Sequence, residues 1–457
     1  MPPRIVIIGG GSYQWVPKLL IDVANTPSLH DAEIVLEDLD PKPLPRMQAW
    51  VERIAELRGI GLSASTTADQ RQGLEGADYV VVSISTGGFT SMRHDLEIPE
   101  RYGIRQSVGD TVGPGGISRA LRNVPVLVGI ARDMADVCPD AWLLNLTNPM
   151  TALCRSVTRE TPVKTIGLCH ELTMTRFTLS LLLDADFRDI DLQITGVNHL
   201  PVITDFTFAG RNGFDALREL VADPTRAADP LAFDLPEDFG SPRAGSGGQW
   251  TRGDLLRRNQ LKLELFDRFG VLPAAGDRHL AEFFPGFLTE ASGWGDRWGI
   301  NLTSIEDRER SQAGHVADLE ALIAAPEVSA MPSGELVAPL IDSLENGRPR
   351  NFPLNIPNQG QCPDLPADVV VESVCTADGD GVRGRDQAIC PPGLAEHLRR
   401  VSASQELTVE AALTGRRETV FEAMLADPLA SRIDWDQLQT MTDELLDATA
   451  AWLPQFA

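Results

Sequence analysis

Two segments carry side chains that could together hold a divalent transition metal. Cys169 ends the apolar run 165–168, and His199 follows residues 194–198 thirty positions later. Cysteine and histidine bind such metals, and a site with two protein ligands keeps positions open for substrate oxygens. A single buried cysteine is more often core filling, and a single histidine is more often a satisfied polar residue. The pair alone is therefore weak support, and its placement at predicted strand ends is what favours a metal site.

A second segment concentrates ionisable side chains in a loop punctuated by glycine. Asp277, Arg278 and His279 follow one another there, and Glu282 comes three positions later. Such groups can donate or remove protons when they lie beside a substrate, although a surface cluster of ion pairs is the alternative interpretation. Arg93 belongs to a smaller cluster of the same kind.

A third segment, residues 109–116, places Asp110 among glycines and a proline, with Arg119 and Arg122 downstream. Glycines on both sides of a proline form a loop that another group can approach closely, and Asp110 is a candidate carboxylate for a buried site. An ordinary turn before a helix is the alternative, and it would be preferred if no partner motif existed.

A fourth segment could bind a dinucleotide. Four small residues connect the first predicted strand to a helix, where bare backbone amides and the helix dipole favour a pyrophosphate: Gly9, Gly10, Gly11 and Ser12. Asp38 ends the second strand, where a carboxylate could bind a ribose hydroxyl and favour NAD over NADP. Ser85 and Thr86 follow the next strand. A glycine cluster after a strand is otherwise often a tight turn, and the spacing departs from the consensus GxGxxG pattern.

These segments need a framework that brings strand ends together. Short apolar strands alternate with helices over the first half, at 4–9, 33–37, 77–85 and 141–145. This alternation predicts an α/β fold with a doubly wound, Rossmann-like parallel sheet. We assign residues 1–195 to an NAD-binding domain and residues 196–457 to a mixed α+β domain for catalysis, substrate binding and oligomerisation. Residues 222–250 and 345–365 are predicted to be loops, the former a possible lid, and 405–453 to be largely helical.

The bulk composition excludes some classes of partner. Hydrophobic residues make up 43% of the 457 positions, so a sizeable core can form. Forty basic and 65 acidic side chains give a formal charge of −25, which argues against nucleic acid or an anionic membrane as the main partner. Six cysteines without CxxC spacing are typical of reduced thiols, and no apolar run reaches the ~18 residues of a membrane span. We therefore expect a cytoplasmic protein, either a homodimer or a homotetramer.

Taken together, the motifs resemble glycoside hydrolase family 4, an NAD-dependent exception among glycosidases. The matching segments occur in the family's order from residue 4 to about 376, and this ordered set is specific even though each match is short. They are Gly9–Ser12, Asp38–Asp40, Gly113–Gly116, Thr147–Pro149, Cys169–Glu171, Gly196–His199 and Asn358–Pro366.

The resemblance implies a redox route to glycoside cleavage. Bound NAD+ oxidises the 3-hydroxyl of the sugar, which a metal, typically Mn2+, polarises. The ketone acidifies the C2 proton, a base removes that proton, and the glycosidic oxygen leaves. Water then adds and the ketone is reduced, so the cofactor is regenerated. The expected substrate is a small glycoside, with the Cys169–Glu171 motif similar to members that act on unphosphorylated α-glucosides.

The resemblance also implies residue roles. Cys169 and His199 are expected to bind the metal, Asn148 to contact substrate or cofactor, and Asp110 to supply an acidic group near the metal. His170 is the expected acid for the leaving group. Many members have a tyrosine base in the segment corresponding to 271–284, which contains no tyrosine here. Asp277 is the expected substitute, and His279 is the alternative.

Substrate and class leave alternatives open. Arg93, Arg278 and Arg252 could hold an anionic C6 substituent, since arginine suits carboxylates and sulfonates, so uronides and sulfoquinovosides remain possible. His279 is a further candidate for substrate binding. A dehydrogenase of the lactate/malate type, whose fold this family is thought to share, is the main rival. A non-catalytic dinucleotide sensor or oligomeric scaffold is a third hypothesis.

Overall fold

A computed structural model describes residues 2–223, 225–231, 250–385 and 387–457. Most of the loop or lid predicted at 222–250 lies outside the described residues. The strands are β1 (Arg4–Ile8), β2 (Glu33–Glu37), β3 (Ser63–Thr67), β4 (Tyr79–Val82), β5 (Trp142–Asn145), β6 (Lys164–Leu168), β7 (Ile190–Val197), β8 (Leu200–Phe208), β9 (Arg211–Asn212), β10 (Leu272–Pro273), β11 (Arg350–Pro357), β12 (Val370–Asp378) and β13 (Gly381–Gly384).

The α-helices pack on both faces of the sheets. They are α1 (Val16–Ala24), α2 (Leu44–Arg58), α3 (Gln70–Leu74), α4 (Gly88–Arg101), α5 (Gly113–Val137), α6 (Met150–Glu160), α7 (Glu171–Leu183), α8 (Gly213–Ala222), α9 (Arg252–Arg258), α10 (Gln260–Phe269), α11 (Asp277–Phe283), α12 (Ile305–Ala324), α13 (Val337–Asn346), α14 (Pro392–Thr414), α15 (Arg417–Ala426) and α16 (Trp435–Ala448).

Six parallel strands form the predicted doubly wound sheet, in the order β3-β2-β1-β4-β5-β6. Alternate residues of β1 enter different cores: Ile5 and Ile7 pack with α1 and α2, whereas Val6 and Ile8 pack with α5. Burial on both faces explains why β1 is apolar at every position after Arg4. The strand order reverses between β1 and β4, and the carboxyl ends beside such a reversal are where α/β sheets bind ligands.

The second half of the chain completes the same sheet. β11 pairs antiparallel with β6, and β12 and β13 extend the edge. The loop predicted at 345–365 is therefore wrong over β11, because Phe352, Leu354 and Ile356 alternate into a core and override the loop-like prolines and asparagines around them.

A smaller antiparallel sheet of β7, β8, β9 and β10 lies beside the first, so the mixed second part is confirmed. The helical C-terminus is also confirmed, and α14 packs on α5 and α6. The division after residue 195 falls within β7 and stays a prediction. Within the described ranges, no helix is long and apolar enough to cross a membrane.

Candidate active site

The glycine loop joins β1 to α1 and leaves no room for side chains. A Cβ on Gly9, whose φ is +85°, would stand 2.0 Å from the Ser83 carbonyl oxygen, and one on Gly11 would stand 2.7 Å from Pro43. The Gly11 amide donates to Oδ2 of Asp38 at 3.0 Å. The carboxylate predicted to bind a ribose therefore adjoins the loop predicted to bind a pyrophosphate.

The ends of β4 and β5 are joined through Arg119. Its guanidinium donates to the Ser85 hydroxyl at 3.1 Å and to the Asn148 carbonyl at 2.9 Å. The Asn148 side-chain oxygen is buried and has no hydrogen-bond partner among the described residues. The Thr86 carbonyl accepts from Arg122, which forms a fully buried ion pair with Asp95. Asn148 thus offers an unsatisfied acceptor next to the predicted dinucleotide site.

Three potential metal ligands converge beyond these strand ends. Ligand atoms of Asp110, His199 and His279 all lie within 4.8 Å of one another, and the two imidazole rings are 3.7 Å apart. Asp110 comes from the loop before α5, His199 from the turn between β7 and β8, and His279 from α11. Segments far apart in the sequence therefore build one cluster.

Thr111 connects two members of this cluster. Its hydroxyl lies 2.7 Å from Oδ1 of Asp110 and 2.9 Å from Nδ1 of His199. Both contacts are satisfied if His199 donates from Nδ1 to the hydroxyl and the hydroxyl donates to the carboxylate. That tautomer leaves Nε2 of His199 with a lone pair for a metal. The hydrogen bonds from His199 to Thr111 and from Thr111 to Asp110 fix the orientation of the ring.

The electrostatics of the cluster favour a cation. Burial opposes ionisation of Asp110, but Arg119, His279, His199 and Arg308 outweigh it and bring the pKa to about 2. Burial, with the neighbouring His279, lowers the pKa of His199 to about 3. An ionised carboxylate beside neutral imidazoles is a donor set that binds divalent transition metals.

A carboxylate–histidine pair lies next to this cluster. Nε2 of His279 is 3.9 Å from Oε1 of Glu171, and Oε2 of the same carboxylate accepts from the Gly276 amide. Burial would raise the pKa of Glu171, but His279 and His170 outweigh it and bring the pKa to about 2. Glu171 is thus an ionised partner for His279, whose Nδ1 is buried without a partner among the described residues.

His170 immediately precedes α7 as its N-cap residue, and its side chain is partly exposed. Its Nδ1 lies 3.3 Å from Oε1 of Glu335, whose side chain is only 8% exposed. Burial lowers the pKa of His170, but the Glu335 contact and the charge of Glu171 outweigh it, so the pKa is raised above 6.5. The raised pKa favours the protonated imidazole, which can act as an acid.

Cys169 is buried at the end of β6 and is not a member of the three-residue group. Burial raises the pKa of its thiol well above 9, with further contributions from Glu372 and Glu171. Asn198 donates to Glu372 at 3.1 Å, while its own side-chain oxygen has no partner among the described residues. Burial raises the pKa of Glu372 to about 8.

Three residues predicted from the sequence are directed elsewhere. The Asp277 carboxylate accepts the backbone amides of Leu261 and Lys262 at 2.9 and 3.1 Å, and so caps α10. Arg93 pairs with glutamates at 97, 306 and 309, and Arg278 donates to carbonyls and to Thr303. Neither the base role of Asp277 nor the substrate contacts of these arginines gains support from the geometry.

The sequence did not mark some of the residues at this site as functional. Thr111 and Glu335 are common residue types in loops, and Glu171 was visible only as part of a motif. Their roles depend on contacts across 88, 165 and 105 to 108 positions, which no local pattern encodes.

Sequence comparisons identify the family. A profile described as family 4 glycosyl hydrolase matches residues 4–185, and the profile of its C-terminal domain matches residues 194–430. An α-galactosidase of Bacillus subtilis (strain 168) is 30% identical over 459 residues, covering 99% of both chains. An α-galacturonidase of Lachnoclostridium phytofermentans is 31% identical over 468 residues, 99% of this chain and 97% of the relative.

Solved structures agree with this relationship. The lplD protein of Bacillus subtilis, described as a glucosidase, superposes with a TM-score of 0.85 at 30% identity, over 97% of this chain and 99% of that one. A 6-phospho-α-glucosidase from gut microorganisms, solved with NAD and Mn2+, shares the fold with a TM-score of 0.77 at 20% identity over the whole of both chains. The chain is therefore a member of glycosyl hydrolase family 4.

Proposed function

We propose that this glycosyl hydrolase is an NAD+- and divalent-metal-dependent α-glycosidase for unphosphorylated sugars, cleaving by oxidation at C3 and proton removal at C2. The observation that carries the proposal is the convergence of Asp110, His199 and His279 beyond the strand ends that also hold the glycine loop. The names of the relatives, an α-galactosidase and an α-galacturonidase, support α-linked, unphosphorylated substrates. NAD and Mn2+ accompany a structural neighbour of the same fold.

The residues fit both groups. The glycines form a cradle that a Cβ would fill, Asp38 adjoins it, and Asn148 presents an unsatisfied oxygen nearby. His199 would hold the metal through Nε2 together with Cys169, whose thiol a bound cation would deprotonate. When bound, the dinucleotide supplies a hydride acceptor and donor for C3, and the metal polarises the C3 oxygen.

His279 is our candidate for the base that removes the C2 proton. Burial lowers its pKa below 6.5, so the imidazole is neutral near pH 7 and can accept a proton. The ionised Glu171 carboxylate, 3.9 Å from Nε2, stabilises the imidazolium that forms. The structure thus favours His279 over Asp277, whose oxygens are already engaged.

His170 is our candidate for the acid that protonates the leaving oxygen. Glu335 orients its ring and favours its protonated form.

The cytoplasmic location and the homodimeric or homotetrameric state stay predictions.

The cofactor requirement tests this proposal. Enzyme stripped of dinucleotide should not release 4-nitrophenol from α-glycosides, and catalytic amounts of NAD+ with Mn2+ should restore turnover without net NADH. A dehydrogenase would accumulate NADH, and a dinucleotide-binding scaffold would release nothing. Turnover at full rate by stripped enzyme would contradict the proposal.

The pH profile tests the acid. The imidazolium of His170 must be present to donate its proton, so activity should fall as pH rises through its pKa, and the raised pKa moves that fall to higher pH than 6.5. Glu335→Gln removes the carboxylate that raises this pKa, so the alkaline limb of kcat should move to lower pH. An unmoved alkaline limb, with only a uniform loss of rate, would give Glu335 a purely structural role.

A further inference from the structure

Helix α12 crosses the edge of the sheet where the site lies. Thr303, just before the helix, donates to the Ser107 carbonyl at 2.8 Å, three positions from Asp110. Near its start the helix is tied to α4 through Glu306 and Arg93, 3.1 Å apart. Near its end it is tied to α2 by the ion pair of Glu320 with Arg46. Since α2 and α4 follow β2 and β4, α12 spans their carboxyl ends.

One face of α12 points inward. Ile305 and Leu319 are buried, and Arg308 and His315 are half-buried at positions between them. The spacings of three, seven and four residues put all four on one stripe of a helix. Arg310, off this stripe, has a side chain that is 76% exposed and pairs with Asp307. Arg308 therefore faces the sheet edge and Arg310 faces solvent.

Arg308 has no side-chain hydrogen bond or ion pair within the described part of the chain. It lies on the inward stripe of α12, five positions after Thr303, whose hydroxyl contacts the Ser107 carbonyl near Asp110, and its charge acts on Asp110, Arg119 and Arg278. Arg119 and Arg278 already donate to carbonyls and hydroxyls. Three guanidiniums thus surround one ionised carboxylate in a protein whose net charge is −25.

We propose that Arg308 binds a carboxylate at C6 of the substrate, so that the enzyme selects uronides over neutral hexosides. This inference rests on the proposed function and names its substrate class. The guanidinium matches a carboxylate with two parallel N–H donors, and it has no acceptor among the residues that the structure describes.

A phosphate of a bound dinucleotide is the alternative anion that Arg308 could meet. The substrate is favoured because Arg308 neighbours Asp110 and Arg278, which belong to the catalytic end of the cleft. His315, two turns further along α12, instead neighbours Lys18 next to the glycine loop. The order of Arg308 and His315 along the helix therefore favours the sugar as the partner of Arg308.

The test compares Arg308→Gln, Arg308→Lys and the matched control Arg310→Gln. Their kcat/KM is measured on 4-nitrophenyl α-galacturonide and α-galactoside, and on the glucuronide and glucoside pair. Loss of a charged hydrogen bond should lower kcat/KM for uronides about 10- to 150-fold in R308Q, less in R308K, and leave neutral substrates within about threefold. R310Q should match the wild type on every substrate.

Calorimetric titration of galacturonate, galactose and NAD+ into the same variants requires no turnover. The wild type should bind galacturonate more tightly than galactose, and R308Q should lose that preference while keeping its affinity for NAD+. Equal loss on charged and neutral sugars, weakened NAD+ binding, or no preference in the wild type would overturn the inference. Absence of NAD+-dependent turnover with the binding preference intact would instead overturn the proposed function alone.

Discussion

The His199→Ala variant is expected to bind Mn2+ at least about 100-fold more weakly and to lose most of its activity. Even residues that only contact metal ligands contribute roughly 10–100-fold to affinity, so a ligand should contribute no less. The Thr111 hydroxyl already fixes the ring through Nδ1, 2.9 Å away, and the free Nε2 is the atom that truncation removes. Cys169→Ser should have an effect of the same order, because a site with two protein ligands cannot spare either.

Two variants near the amino ends of the strands, opposite the site, serve as controls. His30 precedes β2 and contacts the Ala24 carbonyl, and Cys138 is a buried thiol preceding β5. His30→Ala and Cys138→Ser should keep wild-type metal affinity, measured by calorimetric titration of Mn2+. Undiminished affinity in His199→Ala or Cys169→Ser would show that the ligands lie elsewhere in the cluster.

His279→Gln is expected to lower kcat by roughly 10²–10⁴-fold, the usual range for loss of a general base. Glutamine keeps a polar group of similar length but cannot accept the C2 proton near neutral pH. Because His279 is assigned as the base and not as a metal ligand, the affinity for Mn2+ should stay within about tenfold. Single-turnover rates on a 4-nitrophenyl α-glycoside and the metal titration separate these two effects.

Asp277→Asn is the matched test of the alternative base. Its carboxylate accepts two backbone amides at the start of α10, so the variant should lose stability by about 1–3 kcal/mol in urea unfolding. The folded fraction of this variant should still exchange the hydrogen at C2 of the sugar for deuterium during turnover in D2O. If His279→Gln loses Mn2+ binding, that residue is a ligand; if only Asp277→Asn abolishes exchange, the base is Asp277.

Strands β1, β2, β4 and β5 and the parallel character of their sheet could be predicted because local signals agree with the global fold. Residues 5–8 and 79–82 are apolar runs buried on both faces, and Gly9 follows the first where a Cβ would collide with Ser83. β11 was missed because its prolines and asparagines are typical of loops, whereas its pairing with β6 and β12 is set by distant partners.

The candidate site was only partly predictable, because contacts between residues far apart in the sequence also decide which side chains meet there. Cys169 and His199 stand at strand ends that follow apolar runs, so their placement had a pattern. The loop before α11 was recognised as ionisable, but which of Asp277 and His279 faces the cluster depends on where α10 begins. Arg308 lies on a mostly polar helix, and only the packing of Ile305 and Leu319 reveals its inward face.

The hydrogen at C2 of the sugar tests the central claim most directly. In the proposed route that hydrogen leaves as a proton to the enzyme, whereas a glycosidase with two carboxylates never breaks the bond. Wild-type enzyme is incubated with an α-glycoside, NAD+ and Mn2+ in D2O, and the released sugar is analysed by proton NMR and mass spectrometry. Deuterium at C2 of the product is the predicted result. Product that retains protium at C2 would contradict the redox–elimination mechanism.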